Sequence, residues 1–283
     1  MKVLGLVASA RKLGNSEILV KEMLAALPDT VEKAMIRLPD LNIGQCQACY
    51  ACLGADKSCI IGDDLQFLLD NIRTADAIII GAPCYFLGTH TSLKVIGDRL
   101  ISVLQNGDEF AGKKCIVVVT YGVAGWDGYA REATINFARF LHLDVVGSMA
   151  VQAANPGEAA KPEVLHKARL LAQRLVSGAE QTEEAAGCSC RECGSSLLKL
   201  SPDGTVHCPM CGAFGRLYLE GGQFTVQFGQ REHSRFSLAG MKEHGALLEE
   251  IKGRYIASRN ELYTLRQKYK QYDGWWIPPG KRR

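Results

Sequence analysis

The sequence of 283 residues has no long apolar run, although 47% of its residues are hydrophobic. No stretch approaches the roughly 20 apolar residues that a helix needs to cross a bilayer. The opening run MKVLGLVASARK is too short and wrongly ordered for a signal peptide, and it has the pattern of a first β-strand. We therefore expect a cytoplasmic protein that makes no membrane contact and has a substantial apolar core.

The chain also lacks the Gly-x-Gly-x-x-Gly fingerprint of dinucleotide-binding folds, and its net charge is only +3. The basic excess falls in residues 241–283, where aromatic residues are not interleaved on a basic face. The modest net charge and the lack of interleaved aromatic residues argue against a nucleic-acid-binding module as the main role. The basic tail is either a solvated helix face or a docking surface for an acidic partner.

Cysteine, by contrast, is abundant, with eleven residues in the chain. In a protein without export signals, this number suggests metal ligation in a reducing compartment. The run QCQACYACLGADKSC has the spacing C-x2-C-x2-C-x6-C, in which three close thiolates can wrap one compact centre and a fourth closes the shell. A 4Fe–4S cluster is held in this way, whereas zinc usually takes two C-x2-C hooks further apart. A zinc knot and unrelated buried thiols are the alternatives. The candidate ligands are Cys46, Cys49, Cys52 and Cys59.

Short buried strands alternate with amphipathic helices through the first 180 residues. The strands fall near residues 2–8, 31–38, 77–82, 114–120 and 144–151. This alternation predicts an α/β fold with a doubly wound, five-stranded parallel sheet that is covered on both faces. Ligands of such sheets bind beyond the carboxyl ends of the strands, where we place the loops 9–16, 83–90 and 120–127.

The first of these loops reads SARKLGNS and leads into a helix near Asn15. Its hydroxyl, guanidinium and amide donors, with the free N–H groups at the helix start, would bind a phosphate. A simple helix cap at Asn15 or Ser16 fits the same residues.

The runs SARKLGNS, GAPCYFLGTHTSLKVIGDR and TYGVAGWDG resemble the flavin loops of the flavodoxin-like NADPH-dependent FMN reductase superfamily. With the cysteine motif added, residues 1 to about 178 resemble the iron–sulfur flavoproteins of anaerobic bacteria and archaea. The resemblance implies FMN at the strand edge, a 4Fe–4S cluster and a ferredoxin-like electron donor. It also implies a homo-oligomer, a dimer or tetramer, in which the cluster of one subunit approaches the flavin of another.

The resemblance also implies a role for individual positions. It assigns no catalytic residue beyond the flavin, and it makes Asp98 and Arg99 a structural pair. The implied phosphate contacts are Ser9, Arg11, Asn15 and Ser16; the implied ring contacts are Pro83, Tyr85, Phe86, Leu87 and Gly88; the implied third-loop contacts are Tyr121, Gly122 and Gly125.

A second cysteine set has the spacing Cys190-x2-Cys193-x14-Cys208-x2-Cys211. Two C-x2-C hooks at this separation indicate a tetrahedral four-thiolate site, and the two hairpins around them resemble a zinc ribbon. The run CPMCGA also resembles the second knuckle of rubredoxin, which binds a single iron. We favour zinc because the aromatic residues that shield rubredoxin iron are missing near the first hook.

We divide the chain into a flavodoxin-like FMN domain at 1–179, a zinc-ribbon or rubredoxin-like domain at 188–229 and a helical tail at 240–283. Residues 180–187 have the composition of a linker. Residues 241–272 have the pattern of one long amphipathic helix, which either forms a coiled coil or packs against the body of the protein or a sister subunit. The apolar end around Trp275 and Trp276 is expected to dock into a groove or an interface.

Two oxidoreductase functions fit these features. The first is an FMN- and iron–sulfur-dependent enzyme that passes electrons between a ferredoxin-like one-electron donor and FMN, then to an acceptor. The second is an NAD(P)H-dependent FMN or quinone reductase whose cysteines bind only structural zinc.

Overall fold

The computed structural model describes residues 1–54, 57–177 and 188–275, so the predicted linker at 180–187 and the segment from Trp276 onward lie outside the described residues. The strands are β1 Lys2–Val7, β2 Glu32–Arg37, β3 Ala77–Tyr85, β4 Gly88–Thr89, β5 Lys114–Tyr121, β6 Asp144–Gln152, β7 Lys199–Leu200, β8 Thr205–His207, β9 Phe214–Glu220 and β10 Gln223–Phe228. The α-helices are α1 Asn15–Ala25, α2 Leu65–Thr74, α3 Thr91–Gly97, α4 Ala130–Phe140, α5 Pro162–Ala172 and α6 Leu238–Gln267. Shorter 3₁₀ segments are Leu38–Asp40, Leu100–Glu109, Glu158–Ala160, Gln173–Leu175 and Lys268–Trp275.

Five parallel strands form the main sheet in the order β2-β1-β3-β5-β6. The short strand β4 pairs antiparallel with the end of β3. This order is that of the flavodoxin-like doubly wound fold, in which the chain reverses direction next to β1. The predicted fold class is confirmed.

The central strands are buried on both faces because helices cover both sides of the sheet. Ile78 and Ile80 of β3 contact the core beneath α2 and α4, while Ile79 between them contacts the core beneath α1 and α5. Successive side chains of a strand point to opposite faces, so a strand between two helix layers must be apolar at every position. This requirement explains the unbroken run AIIIGA.

Glycines in the sheet bring α1 close to the strands. A Cβ atom on Gly81 would lie 2.5 Å from Cγ2 of Val20 and 3.0 Å from the carbonyl oxygen of Ser16. The first turn of α1 therefore lies directly over the end of β3. This close approach places the helix start at the edge of the sheet where ligands bind.

The second sheet is antiparallel, with the order β10-β9-β8-β7. It contains both of the hairpins predicted around the second cysteine set. Helix α6 follows it and begins earlier than predicted, because the hydroxyl of Ser237 accepts a hydrogen bond of 3.1 Å from the N–H of Gly240 and caps the helix. None of the helices in the described ranges is long and apolar enough to cross a membrane.

The first half of α6 packs against the body of the protein. Nζ of Lys242 lies 3.1 Å from Oδ2 of Asp108, and Nζ of Lys252 donates a hydrogen bond of 2.9 Å to the carbonyl oxygen of Tyr50. Further along the helix, Ile256 and Tyr263 are exposed. The middle of α6 thus contacts the first cysteine loop, while its second half presents apolar side chains to solvent.

Candidate functional site

The loops that follow β1, β3 and β5 meet at one edge of the sheet. Val7 pairs in register with Gly81, and Pro83 pairs with Thr120. The N–H of Ala8 also donates to the carbonyl oxygen of Gly81 at 2.8 Å. The three loops predicted to surround a flavin therefore lie side by side at the carboxyl edge of the sheet.

The first loop, residues 9–16, has buried hydroxyl groups and an exposed guanidinium. Ser9 and Ser16 are buried, and Arg11 is exposed. The hydroxyl of Ser16 lies 2.8 Å from the hydroxyl of Thr120 and joins this loop to the end of β5. The Ser9 hydroxyl, the Arg11 guanidinium and the unpaired N–H groups of the first turn of α1 form a set of donors that suits a phosphate.

The side chain of Asn15, expected to contact a phosphate, instead hydrogen-bonds to the loop after β6. Its Nδ2 donates to the carbonyl oxygens of Ala153 and Asn155 at 3.0 and 2.9 Å. Its Oδ1 accepts from the N–H groups of Gly157 and Ala159 at 3.0 and 3.2 Å. The amide is fully hydrogen-bonded to the loop after β6, so a phosphate contact at this residue would come from its backbone.

A buried ion pair braces the first loop. Glu17 accepts hydrogen bonds from Arg37 at 2.6 Å and from the N–H of Leu13 at 2.7 Å. Arg37 also donates to the carbonyl oxygens of Ser9 and Arg11 at 3.0 and 3.2 Å. Burial acts to raise the pKa of Glu17, but hydrogen bonds from Lys21, Arg37 and Leu13 outweigh it and lower this pKa to about 2.

The second loop is a tight hairpin between β3 and β4. Its two turn residues, Phe86 and Leu87, have φ angles of +51° and +64°. A two-residue turn with both φ angles positive is normally made by Asn-Gly, because other residues are strained there. Tyr85, Phe86 and Leu87 are exposed, whereas Pro83 and Gly88 are buried.

The third loop holds this strained hairpin in place. The N–H of Tyr129 donates to the carbonyl oxygen of Leu87 at 2.8 Å, and the thiol of Cys84 donates to the carbonyl oxygen of Asp127 at 3.3 Å. A Cβ atom on Gly128 would lie 2.2 Å from the carbonyl oxygen of Leu87. Cys84 therefore links two loops by hydrogen bonds.

The surface around these loops is apolar and aromatic. The side chains of Tyr85, Phe86, Trp126 and Tyr129 are all exposed, and that of Phe86 has 103% of its reference accessibility. Tyr121, Gly122 and Gly125 belong to the same third loop, and Gly125 has a φ angle of +73° with open space around its Cα. A flat aromatic ring system placed at this edge would find stacking partners.

The first cysteine loop folds around a cavity of about 360 Å³. Ala48 and Tyr50 have φ angles of +50° and +54°, so the chain turns sharply between successive cysteines. The N–H of Ala48 donates to Sγ of Cys46 at 3.4 Å. All four cysteines of the loop line this cavity, and they are Cys46, Cys49, Cys52 and Cys59.

The base of this loop is closed by carboxylates. Asp63 accepts a hydrogen bond of 2.8 Å from the N–H of Gly44, and Asp64 accepts one of 2.6 Å from the N–H of Asn42. Burial, and next the nearby Cys59, raise the pKa of the Cys52 thiol.

The second cysteine set forms a compact, buried site. The four Sγ atoms lie within 4.8 Å of one another, and those of Cys190 and Cys211 are 3.4 Å apart. The two hooks have matching geometry, since Gly194 and Gly212 follow them with φ angles of +67° and +79°. Hydrogen bonds from Cys193 and Cys211 lower the pKa of the Cys190 thiol. This site could hold a metal ion in tetrahedral geometry.

Known proteins with similar sequences share this flavin-loop region. The family model for NADPH-dependent FMN reductase matches residues 1–156. The chain belongs to the NADPH-dependent FMN reductase family. It is therefore a flavin-dependent oxidoreductase, and FMN is the cofactor that this family membership supports.

Three individual proteins extend the comparison. An iron–sulfur flavoprotein of Methanocaldococcus jannaschii is 39% identical over 100 residues, which are 35% of this chain and about half, 51%, of that protein. A flavone synthase of Aspergillus candidus is 26% identical over an alignment that covers 100% of this chain and 99% of that protein. The solved structure of a flavone reductase has a TM-score of 0.78 and 22% identity, with 100% of both chains covered. The fold of this FMN reductase family member, including the ribbon and α6, thus recurs along a whole known structure.

The residues at the sheet edge fit FMN. A hydroxyl and a guanidinium lie beside the start of α1. Strained, exposed apolar residues lie beyond the end of β3, and exposed apolar residues lie beyond the end of β5. The first cysteine loop fits a 4Fe–4S cluster, because four thiols line one cavity next to Arg99, whose Nε is buried without a hydrogen-bond partner.

Sequence reasoning missed several residues that build the site. Arg37 braces the first loop from a strand 26 residues away from Arg11. Trp126 and Tyr129 complete the aromatic surface. Arg99, expected only as half of a structural pair, contacts the cysteine loop. The run GWDGY carried the only local signal for the aromatic pair; the two arginines act over long sequence separations that no local pattern reports.

Proposed function

We propose that this protein is an FMN- and iron–sulfur-dependent oxidoreductase that exchanges electrons with a ferredoxin-like one-electron donor and delivers them to an acceptor. In this proposal FMN supplies two-electron chemistry and a 4Fe–4S cluster supplies one-electron chemistry. Ser9 and Arg11 bind the FMN phosphate, and the hairpin at residues 83–88 and the loop at 121–125 border its ring. The observation that carries the proposal is the set of four cysteines lining one cavity.

The arrangement of α3 supports a link between the two centres. The flavin hairpin ends at Thr89, immediately before α3 begins, and Arg99 follows two residues after α3 ends. A helix of seven residues is about 10 Å long. The cysteine cavity and the flavin hairpin thus lie at opposite ends of one short helix.

The direct test uses a cysteine variant and two reductants. We expect Cys49→Ala to lose its iron and to lose reduction of FMN by ferredoxin, while dithionite still reduces the flavin. Thr91→Ala, at an exposed position of the neighbouring helix α3, serves as a control. Rapid reduction of FMN by ferredoxin in an iron-free Cys49→Ala protein would reject the proposal in favour of a flavin reductase with structural zinc alone.

The protein is further proposed to act as a homo-oligomer, with the cluster of one subunit near the flavin of another. Exposed apolar side chains at the flavin edge and along the second half of α6 support this arrangement, since such surfaces are usually covered. A mixed oligomer tests it, with one subunit type carrying Cys49→Ala and the other carrying Ser9→Ala and Arg11→Ala. Activity in the mixture that neither parent has is the expected result, and a mixture as inactive as its parents would contradict the arrangement.

A flavonoid is a second candidate for the acceptor. The full-length similarity to a flavone synthase connects the chain with flavone chemistry, and Tyr85, Phe86 and Trp126 are exposed at the flavin edge. A synthase forms flavone, and the same two-electron step in reverse makes flavone the acceptor. In this reaction the reduced flavin and a proton from solvent would add two electrons and two protons to the C2–C3 double bond of a flavone. We expect anaerobic mixing of the reduced protein with flavone to reoxidise FMN and to form flavanone. A flavin that remains reduced would exclude this acceptor.

A further inference from the structure

Arg99 is a buried cation whose surroundings connect it to the first cysteine loop. It lies just after α3, and its residue is only 1% exposed. Nη1 forms an ion pair with the buried carboxylate of Asp63. A buried guanidinium without such a partner would carry a large desolvation cost, so the Asp63 contact accounts for its stability.

Arg99 makes further hydrogen bonds in addition to the ion pair that neutralises its charge. Nη2 donates to Sγ of Cys59 at 3.2 Å and to the carbonyl oxygen of Ile61 at 3.4 Å. Nη1 also donates to the carbonyl oxygen of Gly44 at 3.3 Å. One side chain therefore connects the chain before Cys46 with the chain around Cys59, and it reaches a cysteine sulfur directly.

The third guanidinium nitrogen, Nε, is buried and has no hydrogen-bond partner. Arg99 lines the cavity of about 360 Å³ together with all four cysteines of the loop. The group of Arg99 that reaches the cysteines is Nη2, through its contact with Sγ of Cys59. A guanidinium beside this cavity suits an occupant with acceptor atoms, and the sulfides of a cluster are acceptors of this kind.

We infer that Arg99 is a positioning residue that holds Cys59 as a cluster ligand and raises the reduction potential of the cluster. This inference rests on the proposed function, because it assumes that the loop binds a 4Fe–4S cluster. Hydrogen bonds to the sulfurs and nearby positive charge both stabilise the reduced, more negative form of a cluster. A role confined to structure, as the sequence suggested for this residue, would leave the potential unchanged.

The test compares two substitutions that remove opposite charges from the same ion pair. Arg99→Gln removes a positive charge and the donor to Cys59, so the reduction potential of the cluster is expected to fall. Asp63→Asn removes a negative charge and leaves Arg99 in place, so the potential is expected to rise. General damage to the loop would not separate the two variants by sign.

The potentials are measured by anaerobic redox titration followed by electron paramagnetic resonance, with iron, sulfide and FMN determined on the same samples. Arg169→Gln is the matched control. This exposed arginine of α5 forms an ion pair of 2.5 Å with Glu22, far from the cysteine loop. We expect the control to keep the wild-type potential. We also expect Arg99→Gln to lose iron to a chelator several-fold faster than the control.

The outcomes separate this inference from the proposed function. A wild-type protein without iron and sulfide would contradict both. A wild-type protein with a cluster, and an Arg99→Gln variant with the same potential, would overturn only the role of Arg99. If Arg99→Gln holds no cluster, Asp63→Asn decides the question, and an unchanged or lower potential in that variant overturns the inference.

Discussion

Glu17 and Arg37 show how one buried ion pair shapes a binding loop. Glu17 lies in the first turn of α1, where its negative charge is stabilised by the helix dipole as well as by Arg37. Arg37 then uses its other nitrogen to hold two carbonyl oxygens of the loop at residues 9–11. The loop is therefore preorganised before any phosphate binds.

The depressed pKa of Glu17 predicts a pH dependence of stability. Its pKa falls from 4.5 to about 2, so the stabilisation is present above about pH 4.5 and is lost as the pH falls toward 2. At neutral pH it amounts to roughly 3 kcal/mol, at about 1.4 kcal/mol per pKa unit. Denaturant unfolding measures the free energy of unfolding at pH 7 and pH 3. We expect Glu17→Gln to lower this free energy at pH 7 and to lower it less at pH 3, with Glu22→Gln as the control.

An equal decrease at both pH values would contradict the depressed pKa of Glu17.

The exposed guanidinium of Arg11 and the hydroxyl of Ser9 give a second prediction at this scale. Ser9→Ala with Arg11→Ala should weaken FMN binding 10-fold or more, because hydrogen bonds to charged groups are worth about 1.5–3 kcal/mol. Fluorescence titration of the apoprotein with FMN measures this change. Lys12→Ala removes a neighbouring charge from the same loop and should have little effect. Equal affinities in the double variant and the wild type would remove both residues from the phosphate site.

At the scale of elements, the hairpin at residues 83–90 and the loop at 121–129 behave as one unit. The hairpin turn is strained, and it persists because Tyr129 and Cys84 hydrogen-bond across to the neighbouring loop. Gly128 allows this contact, since it has a φ angle of +55° and no Cβ atom to collide with Leu87.

A pair of glycine substitutions tests this coupling. Gly128→Ala should cost about 3 kcal/mol and lower FMN binding, because its Cβ would lie 2.2 Å from the carbonyl oxygen of Leu87. Gly125→Ala also has a positive φ angle but open space, and should cost only about 1 kcal/mol. Thermal unfolding and FMN titration of both variants provide the comparison. Similar costs for the two would show that the loops are not coupled through Gly128.

The strands could be predicted from the sequence because a parallel strand buried on both faces must be apolar at every position, as in AIIIGA and KCIVVVT. The positions of the three loops at the carboxyl edge could be predicted as well, because each loop directly follows one of these strands in the sequence. The hairpin turn could not be predicted, since Phe86 and Leu87 are not turn-forming residues and their conformation depends on the neighbouring loop. The same limit applies to Arg99, whose partners are 36 to 55 residues distant in the chain.

At the scale of the whole molecule, polar contacts join the flavin-binding part to the ribbon and to the segment between the ribbon and α6. The hydroxyl of Ser196 donates to Glu132 at 2.7 Å, and Nδ1 of His142 lies 3.0 Å from the carbonyl oxygen of Phe236. The ribbon has a small core formed mainly by its cysteines, with Ala213 and a few partly buried residues around it. A unit with so small a core is expected to depend on a bound metal for folding.

Removal of the ribbon metal should therefore have a local effect. Cys208→Ser is expected to lose the bound metal and to expose residues after 188 to protease, while FMN content stays at the wild-type level. Limited proteolysis with metal and flavin analysis measures these quantities, and Cys188→Ser, a thiol outside the buried set, is the control. Loss of FMN in Cys208→Ser would show that the ribbon and the flavin-binding part fold as one.

The central claim is that the first cysteine loop holds a 4Fe–4S cluster, and the most direct measurement is the iron and acid-labile sulfide content of anaerobically purified protein. We expect about four irons and four sulfides per chain in addition to the ribbon metal. This complement should disappear in Cys49→Ser and remain in Cys208→Ser. A wild-type protein that contains zinc at both cysteine sets and no sulfide would contradict the claim.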